Sequence, residues 1–219
     1  MKKTQSIGTQ VWDWPVRIIH WTWTVLFGLL WWTAENDEMD VHRYAGYAMV
    51  SLLVFRIYWG FKGSNTARFS YFVKSPINTW RYAKKQPSLY AETKLGHNPL
   101  SAYSILLVLA LLCAQVTTGL FAIDVDGWEA GPFNHYVSFE TGRLCATWHE
   151  YLFNSLIGWL VLHLCAIAYY FWGQKQNLLY PMLSGKTAGI KNTIFTPAQL
   201  KHYFIGLALV CVVLWLILS

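Results

Sequence analysis

The sequence predicts an all-α integral membrane protein, a four-helix transmembrane bundle followed by a fifth C-terminal transmembrane helix. Of its 219 residues, 55% are hydrophobic and only 13% are charged, whereas a soluble domain carries about 25% charged residues. Five segments approach the roughly 20 apolar residues that a membrane-spanning helix needs. They are residues 15–34, 43–61, 99–122, 147–172 and 203–219. These spans leave no room for a separate soluble domain.

Local signals mark where several of these helices begin. The first follows Trp12-Asp13-Trp14-Pro15, in which the proline suits a first helical turn. We expect Asp40 to cap the second helix, and Thr196-Pro197-Ala198 to supply a cap and a first-turn proline for the fifth. Residues 62–97 form a long loop between the second and third helices. Its segment 72–85 mixes aromatic and basic residues and is expected to lie on the membrane surface.

The loops fall into two classes by charge. Most of the basic residues precede or open the first helix, or fill the second and fourth loops: Lys2, Lys3, Arg17, Lys62, Arg68, Lys74, Arg81, Lys84, Lys85, Lys94, Lys175, Lys186, Lys191 and Lys201. The other two loops carry Glu35, Asp37, Glu38, Asp40, Asp124, Asp126, Glu129 and Glu140. The positive-inside rule places the N-terminus and basic loops in the cytoplasm, and the acidic loops and C-terminus outside. Membrane insertion explains the basic residues, so we predict no nucleic-acid partner.

The most informative residues are two histidines in the fourth predicted helix. His149 and His163 are 14 residues apart, which is close to four helical turns, so both imidazoles lie on nearly one face about 21 Å apart along the axis. That distance is most of the roughly 30 Å hydrocarbon core of a bilayer. Histidine inside a membrane helix is costly and normally faces a partner or a cofactor.

Depth pairs these two histidines with two others. His42 opens the second helix at its outer end, as His149 opens the fourth, and His20 lies on the cytoplasmic side like His163. Two pairs of imidazoles at two depths predict two haems, each held by two axial ligands. There is no Cys-x-x-Cys pair among the four cysteines, so we expect neither c-type haem attachment nor a thiolate metal site.

Glycine and arginine positions fit the same prediction. Gly46 lies one turn after His42, where a missing side chain lets a porphyrin face approach, and Gly28 and Gly158 lie near the other ligands. Haem propionates require cations. The candidates are Arg17 and Arg56 at the depth of the inner pair, and Arg43 and Arg143 at the outer end. Ordinary helix packing and loop structure explain each of these residues equally well when it is taken alone.

A membrane transporter with a histidine relay is the alternative from another class. Its buried histidines would gather near the midplane with carboxylate partners. Here the four histidines divide into two layers, and the helix interiors hold neither Asp nor Glu.

These residues resemble the bacterial cytochrome b561 family and the related b-type cytochrome subunit of nickel–iron hydrogenases. The resemblance covers about residues 10–185 and rests on four motifs. They are Trp12-Asp13-Trp14-Pro15-Val16-Arg17-Ile18-Ile19-His20-Trp21, His42-x-x-x-Gly46 with Arg56, Gly96-His97-Asn98-Pro99-Leu100, and Trp148-His149-Glu150 with His163. The resemblance implies two b haems in a four-helix core, with His20, His42, His149 and His163 as iron ligands.

The resemblance also divides the chain. Residues 1–185 form the expected di-haem domain, and residues 186–219 form a cytoplasmic linker and the fifth helix, a peripheral brace or partner-docking element. His97, at the cytoplasmic end of the third helix, could bond a haem propionate, line a quinone pocket, replace an inner ligand, or simply start the helix at the interface. His135 and His202 are expected at the surface.

The leading functional prediction is electron transfer across the bacterial cytoplasmic membrane. The partners would be quinone or quinol on one side and a periplasmic redox protein, such as a cytochrome c, on the other. His97, Arg56 and Lys94 are the candidates for an inner quinone pocket. The second prediction is a membrane anchor of a multisubunit hydrogenase or dehydrogenase. Whether the chain is itself a quinone oxidoreductase stays open at this point.

Overall fold

The computed structural model describes residues 9–84, 99–187 and 194–219, most of which are helical. The helices are α1 (Trp14–Glu35), α2 (Met39–Lys62), α3 (Phe69–Phe72), α4 (Pro76–Lys84), α5 (Pro99–Phe121), α6 (Phe139–Ala168), α7 (Leu179–Ser184) and α8 (Leu200–Leu218). A single 3₁₀ turn at Asn134–Tyr136 precedes α6, and a π-helical turn at Tyr169–Gly173 continues it. The predicted loop 62–97 therefore contains two short helices.

Three of the described helices are long and apolar enough to cross a membrane. They cover Leu100–Phe121, Phe139–Gly173 and Leu200–Leu218. The helices α1 and α2 have sufficient length, at 22 and 24 residues. Both contain histidine, arginine and several interfacial aromatic residues, which lower their apolar character. The prediction of an all-α membrane protein is confirmed at this level.

Two predicted helix starts were wrong. The residue at the cap of α2 is Glu38, whose side chain makes no capping hydrogen bond. Asp40, the predicted cap, lies inside the first turn and pairs with Arg43. The fifth spanning helix, α8, begins at Leu200 with Gln199 at the cap, so Thr196-Pro197 precedes it in extended chain. The helix α6 also begins eight residues before the predicted position 147, where the Ser138 hydroxyl accepts the Thr141 N–H at 3.2 Å.

The helices pack in two antiparallel pairs, α1 with α2 and α5 with α6, and α2 also contacts α5. The buried centre between them consists of Leu53, Leu109, Leu112 and Leu156. The helix α8 packs on the opposite side of α2. There the Tyr203 ring lies 4.7 Å from the Trp59 ring.

His202, which was predicted at the surface, also makes a contact between two helices. It is half-buried in the first turn of α8, where its Nδ1 lies 2.8 Å from the Tyr58 hydroxyl of α2. His135 is exposed, as predicted.

A buried carboxylate joins the start of α1 to the end of α2. Asp13 is 3% exposed. Its Oδ1 accepts the Val16 N–H at 3.0 Å and caps α1, while its Oδ2 accepts from Trp59 Nε1 at 2.7 Å and Ser64 Oγ at 2.6 Å. Charged acceptors with several donors are among the stronger hydrogen-bonding groups in proteins. This carboxylate therefore fixes the register of α1 against α2.

A small antiparallel sheet lies at the same end of the bundle and was missed by the all-α prediction. Strand β1 (Thr9–Gln10) pairs with β2 (Lys186–Thr187), with Thr9 opposite Thr187. Val11 N–H extends the contact by donating to the Gly185 carbonyl at 2.8 Å. Two-residue strands carry no periodicity, so sequence patterns could not indicate them.

We expect Asp13→Asn to destabilise the protein by about 1.5–3 kcal/mol, because an amide cannot accept from all three donors at once. If its nitrogen replaces Oδ2, it faces the Trp59 N–H; if it replaces Oδ1, the cap of α1 is lost. Thermal unfolding in detergent measures the change. The control is Asp126→Asn, on an exposed loop. Equal midpoints for the two variants would contradict this account of the register.

Candidate functional site

The structure brings the four predicted histidines together as two pairs. The His42 layer consists of His42 on α2 and His149 on α6, with ring centroids 6.3 Å apart. The His20 layer consists of His20 on α1 and His163 on α6, with centroids 6.5 Å apart. Two imidazoles on opposite sides of one metal have centroids roughly 6 Å apart, given metal–nitrogen bonds of about 2.0–2.1 Å. Each pair therefore has the spacing of two axial ligands.

A gap separates α6 from α1 and α2 around these side chains. The backbone of α6 packs closely against α5, whereas its approach to α1 and α2 is sparse. Gly28, Gly46 and Gly158 all face open space, since a Cβ built on any of them meets no atom within 4 Å. A flat macrocycle requires room of this kind beside its ligands.

The imidazole of His42 is oriented by α1. Its Nδ1 lies 3.0 Å from the Leu30 carbonyl oxygen and 3.2 Å from Thr33 Oγ1. The Thr33 hydroxyl donates its own proton to the carbonyls of Leu29 and Leu30, at 2.9 and 3.0 Å. Thr33 is fully buried, at 0% exposure. Since a carbonyl only accepts, Nδ1 of His42 carries the proton, and Nε2 is the nitrogen left to bind a metal.

The imidazole of His149 is held in the same way by α5. Its Nδ1 lies 2.9 Å from the Gln115 carbonyl oxygen and 3.3 Å from Thr118 Oγ1. The Thr118 hydroxyl donates to the carbonyls of Ala114 and Gln115, both at 2.9 Å. Gly119 leaves room for the His149 ring, because the Cβ of any other residue there would lie 2.8 Å from His149 Cε1.

The two seats share one design, which we call the threonine clamp. In each, a carbonyl at position i and a threonine hydroxyl at position i+3 receive one imidazole Nδ1 proton: Leu30 with Thr33, and Gln115 with Thr118. Metal-binding histidines generally donate their other ring N–H in this manner, which fixes the ring and raises its basicity. The Gln115 side-chain amide also lies 3.0 Å from His149 Nε2. That flexible side chain must turn aside for a metal to bind there.

The His20 layer has a different environment. Among the described residues, His20 Nδ1 is buried with no hydrogen-bond partner, and its ring meets the Trp21 ring edge-on at 5.1 Å. Two further donors lie within about one helical turn of the level of His20. They are Trp23 Nε1 and Arg56 Nη1, which are also buried without an acceptor in the described part of the chain. Buried polar groups are nearly always satisfied in native proteins. Orphaned donors beside a histidine pair therefore fit a site for an acidic cofactor such as haem.

Arg56 is the most deeply buried cation of the described chain, at 7% exposure. Its guanidinium lies 5.4 Å from the centre of the Phe69 ring. The helices α1 and α2 are antiparallel, since His42 contacts Leu30 at one end and Trp59 contacts Asp13 at the other. Counting back three residues from Trp59 on α2 and forward three from Asp13 on α1 places Arg56 opposite about Val16. It is thus roughly one helical turn, or about 6 Å, from the level of His20. A haem propionate would satisfy this guanidinium.

The other predicted arginines contact protein groups. Arg43 forms ion pairs with Asp40 and with Glu129 of the loop before α6. Arg143 donates from Nη1 to the Ile123 carbonyl at 2.8 Å. Both therefore brace the loop between α5 and α6 near the His42 layer.

Arg17 lies about one helical turn before His20 on α1. It lines a shallow cavity of about 260 Å³ with Ile18, Trp21, Thr22, Met182 and Leu183. Its Nε is buried and has no hydrogen-bond partner among the residues that the structure describes. The Trp21 ring therefore lies between this cavity and the His20 imidazole.

Two predicted positions, His97 and Lys94, lie outside the described residues. Four positions of the site were absent from the prediction: Thr33, Gln115, Thr118 and Gly119. Threonine and glycine are common in membrane helices for packing reasons. The arrangement of a carbonyl at position i and a threonine at position i+3 is informative only when an imidazole is known to contact both. The sequence therefore offered no separate signal for these residues.

The comparisons with known proteins agree with this geometry. Residues 11–185 match the family model described as prokaryotic cytochrome b561. The chain is also similar to relatives that carry the name probable Ni/Fe-hydrogenase B-type cytochrome subunit. That of Bradyrhizobium diazoefficiens is 23% identical over 80% of this chain and 84% of its own. That of Azotobacter chroococcum is 22% identical over 84% and 90%, and that of Rhizobium leguminosarum 24% identical over 67% and 66%.

No solved structure matches the chain. The family match covers the complete histidine framework from α1 through α7 and stops before α8. Proteins of this class are membrane-bound b-type cytochromes that transfer electrons, a chemistry that decides against the non-haem transporter. The chain belongs to the prokaryotic cytochrome b561 family.

Proposed function

We propose that this chain is a di-haem cytochrome that carries electrons across the cytoplasmic membrane, between quinone or quinol and a redox partner outside. The observation that carries the proposal is the two histidine pairs, with centroids 6.3 and 6.5 Å apart, each with one member on the continuous helix α6. Their ligands on α6 are separated by about 21 Å along the axis. One haem b would bind in each layer, giving four spanning helices around two haems and α8 as a fifth.

A haem with two imidazole ligands exchanges single electrons and has no open iron position for oxygen. The residues of the chain supply the rest. The threonine clamps orient two of the four imidazoles, and Arg56 and Trp23 offer donors to propionates. The gap beside Gly28, Gly46 and Gly158 admits the macrocycles. We assign Arg43 and Arg143 to the outer haem as loop-bracing cations close to its propionates.

The quinone would bind at the cytoplasmic side. Oxidising one quinol releases two electrons and two protons, and reducing one quinone takes up the same number, so the chain must pass two electrons one after the other in either direction. The cavity lined by Arg17 and Trp21 offers an unpartnered guanidinium N–H to a quinone oxygen, beside a ring that touches His20. Arg56, His97 and Lys94 remain candidates for the same region.

The outer partner would dock on the acidic loops. Asp37, Glu38, Asp126 and Glu140 are exposed at the ends of the helices that carry the His42 layer. Negative surfaces of this kind attract basic soluble redox proteins, such as cytochromes c, by complementary charge. The orientation follows the positive-inside rule, with the N-terminus in the cytoplasm and the C-terminus in the periplasm.

A second candidate is the membrane anchor of a multisubunit hydrogenase or dehydrogenase. The names of the relatives favour it, and they match over as much as 84% of this chain. In this case a partner enzyme subunit would replace the soluble protein at the acidic loops. We further propose that residues 1–185 form the di-haem domain, and that residues 186–219 add a linker and a brace, supported by the end of the family match at residue 185.

The function is tested with the full chain reconstituted in vesicles that enclose ferricyanide. Added quinol should reduce the enclosed oxidant at least tenfold faster than in vesicles without protein, because electrons must cross the bilayer. Absorbance of ferricyanide measures the rate. A rate equal to that of protein-free vesicles, with haem present, would rule out transmembrane transfer from quinol.

Each haem should depend on its own pair of histidines. We expect His163→Ala to lose the haem of the His20 layer and to retain most of the other, leaving about half of the haem per chain. His42→Ala should have the reciprocal effect. Haem extraction and the reduced-minus-oxidised spectrum measure both. Loss of both haems in either variant, with folding intact by circular dichroism, would contradict the pairing.

A further inference from the structure

We infer that the haem of the His42 layer has the lower midpoint potential of the two, and that Thr33, Thr118 and Arg56 set this order. The inference rests on the proposed two-haem function. It assigns positioning roles to the two threonines and an electrostatic role to the arginine.

The first argument is the asymmetry of the imidazole hydrogen bonds. In the His42 layer both ligands donate Nδ1–H to a carbonyl and a threonine hydroxyl, at distances between 2.9 and 3.3 Å. In the His20 layer, His20 Nδ1 is buried and no described residue accepts from it. A hydrogen bond accepted from Nδ1–H makes the imidazole a stronger electron donor. Stronger donation stabilises ferric over ferrous iron and lowers the potential.

The second argument is the charge at each layer. Arg56 is 7% exposed, lies about one turn from the level of His20, and forms no ion pair in the described chain. A buried cation favours the reduced haem, which carries one positive charge fewer, and raises its potential. Asp13 lies at the same end and interacts electrostatically with Arg56 without forming an ion pair, but its charge is shared among the three hydrogen bonds that it accepts. By contrast, the charge of Arg43 near the His42 layer is paired with Asp40 and Glu129.

The surface charges act in the same direction. The loops near the His42 layer are mainly acidic, and those near the His20 layer mainly basic. A negative surrounding lowers a haem potential and a positive one raises it, although salt screens these exposed groups. Electrons therefore run downhill from the His42 layer to the His20 layer. With the proposed orientation, an external donor loses one electron per step and the cytoplasmic side gains it.

The test is a mediated redox titration of the full-length protein in detergent, followed by absorbance. Wild type should give two one-electron components. The His163→Ala variant, which lacks the His20-layer haem, should retain the lower one. Thr33→Val keeps the side-chain shape and removes the hydroxyl. It should raise the lower component by roughly threefold in the reduction equilibrium constant, or about 28 mV at 59 mV per tenfold.

Matched variants complete the design. Thr118→Val should act like Thr33→Val, and the double variant should add the two shifts because they act on different imidazoles. Thr33→Ser, which restores a hydroxyl, should return the potential to wild type. Thr24→Val removes another back-bonded hydroxyl of α1 and should leave the lower component unchanged. Arg56→Gln should lower the upper component.

The outcomes separate the two proposals. A single haem in wild type would overturn both. Two haems with no shift in Thr33→Val or Thr118→Val, or a lower component that vanishes in His163→Ala, would overturn the inference alone. Thr33→Val could lose the haem of the His42 layer altogether. In that case, retention of this haem in both Thr33→Ser and Thr24→Val supports the threonine clamp. Loss of the haem in Thr33→Ser as well would overturn the inference.

Discussion

The hydrogen bond from an imidazole N–H to a helix carbonyl is the interaction on which the rest of this structure depends. A polar ring inside a bilayer is costly unless both of its nitrogens are used. In the His42 layer Nδ1 of each ligand bonds to a neighbouring helix, which leaves Nε2 for a metal once the Gln115 amide has turned aside from His149. The helices that donate no ligand to this layer, α1 and α5, thus position the ligands of their neighbours.

The bundle is arranged so that these contacts stay in register. Asp13 ties the two helices of the first pair at the end opposite to Thr33, and Gly119 lets α5 approach the His149 ring. The gap between α6 and the first pair persists because α6 packs mainly against α5 and reaches α1 through ring contacts such as that of Phe27 with Phe153, whose centroids are 5.6 Å apart. Because the family consists of membrane b-type cytochromes, we interpret this gap as the space that haem would occupy.

The two histidine pairs could be predicted from the sequence because helical rise and bilayer thickness are fixed quantities. The 14-residue separation of His149 and His163 places them at two depths in a spanning helix, and the charge pattern of the loops gave the depths of His42 and His20 on their own helices. The threonine clamps could not be predicted, because a Thr33 hydroxyl bonded to its own helix looks the same in sequence as any packing threonine. The start of α2 was misjudged because Asp40 is drawn to Arg43 instead of the cap. The two-residue strands carry no periodic signal at all.

The central claim is that each chain binds two haems b, each between two imidazoles at its own depth. Haem extraction from the purified protein with a protein assay, together with carbon monoxide titration of the reduced form, tests it most directly. The account predicts two haems per chain and an absorption spectrum that carbon monoxide leaves unchanged, because both iron positions are taken by histidine. One haem per chain, or a spectrum shifted by carbon monoxide, would contradict it.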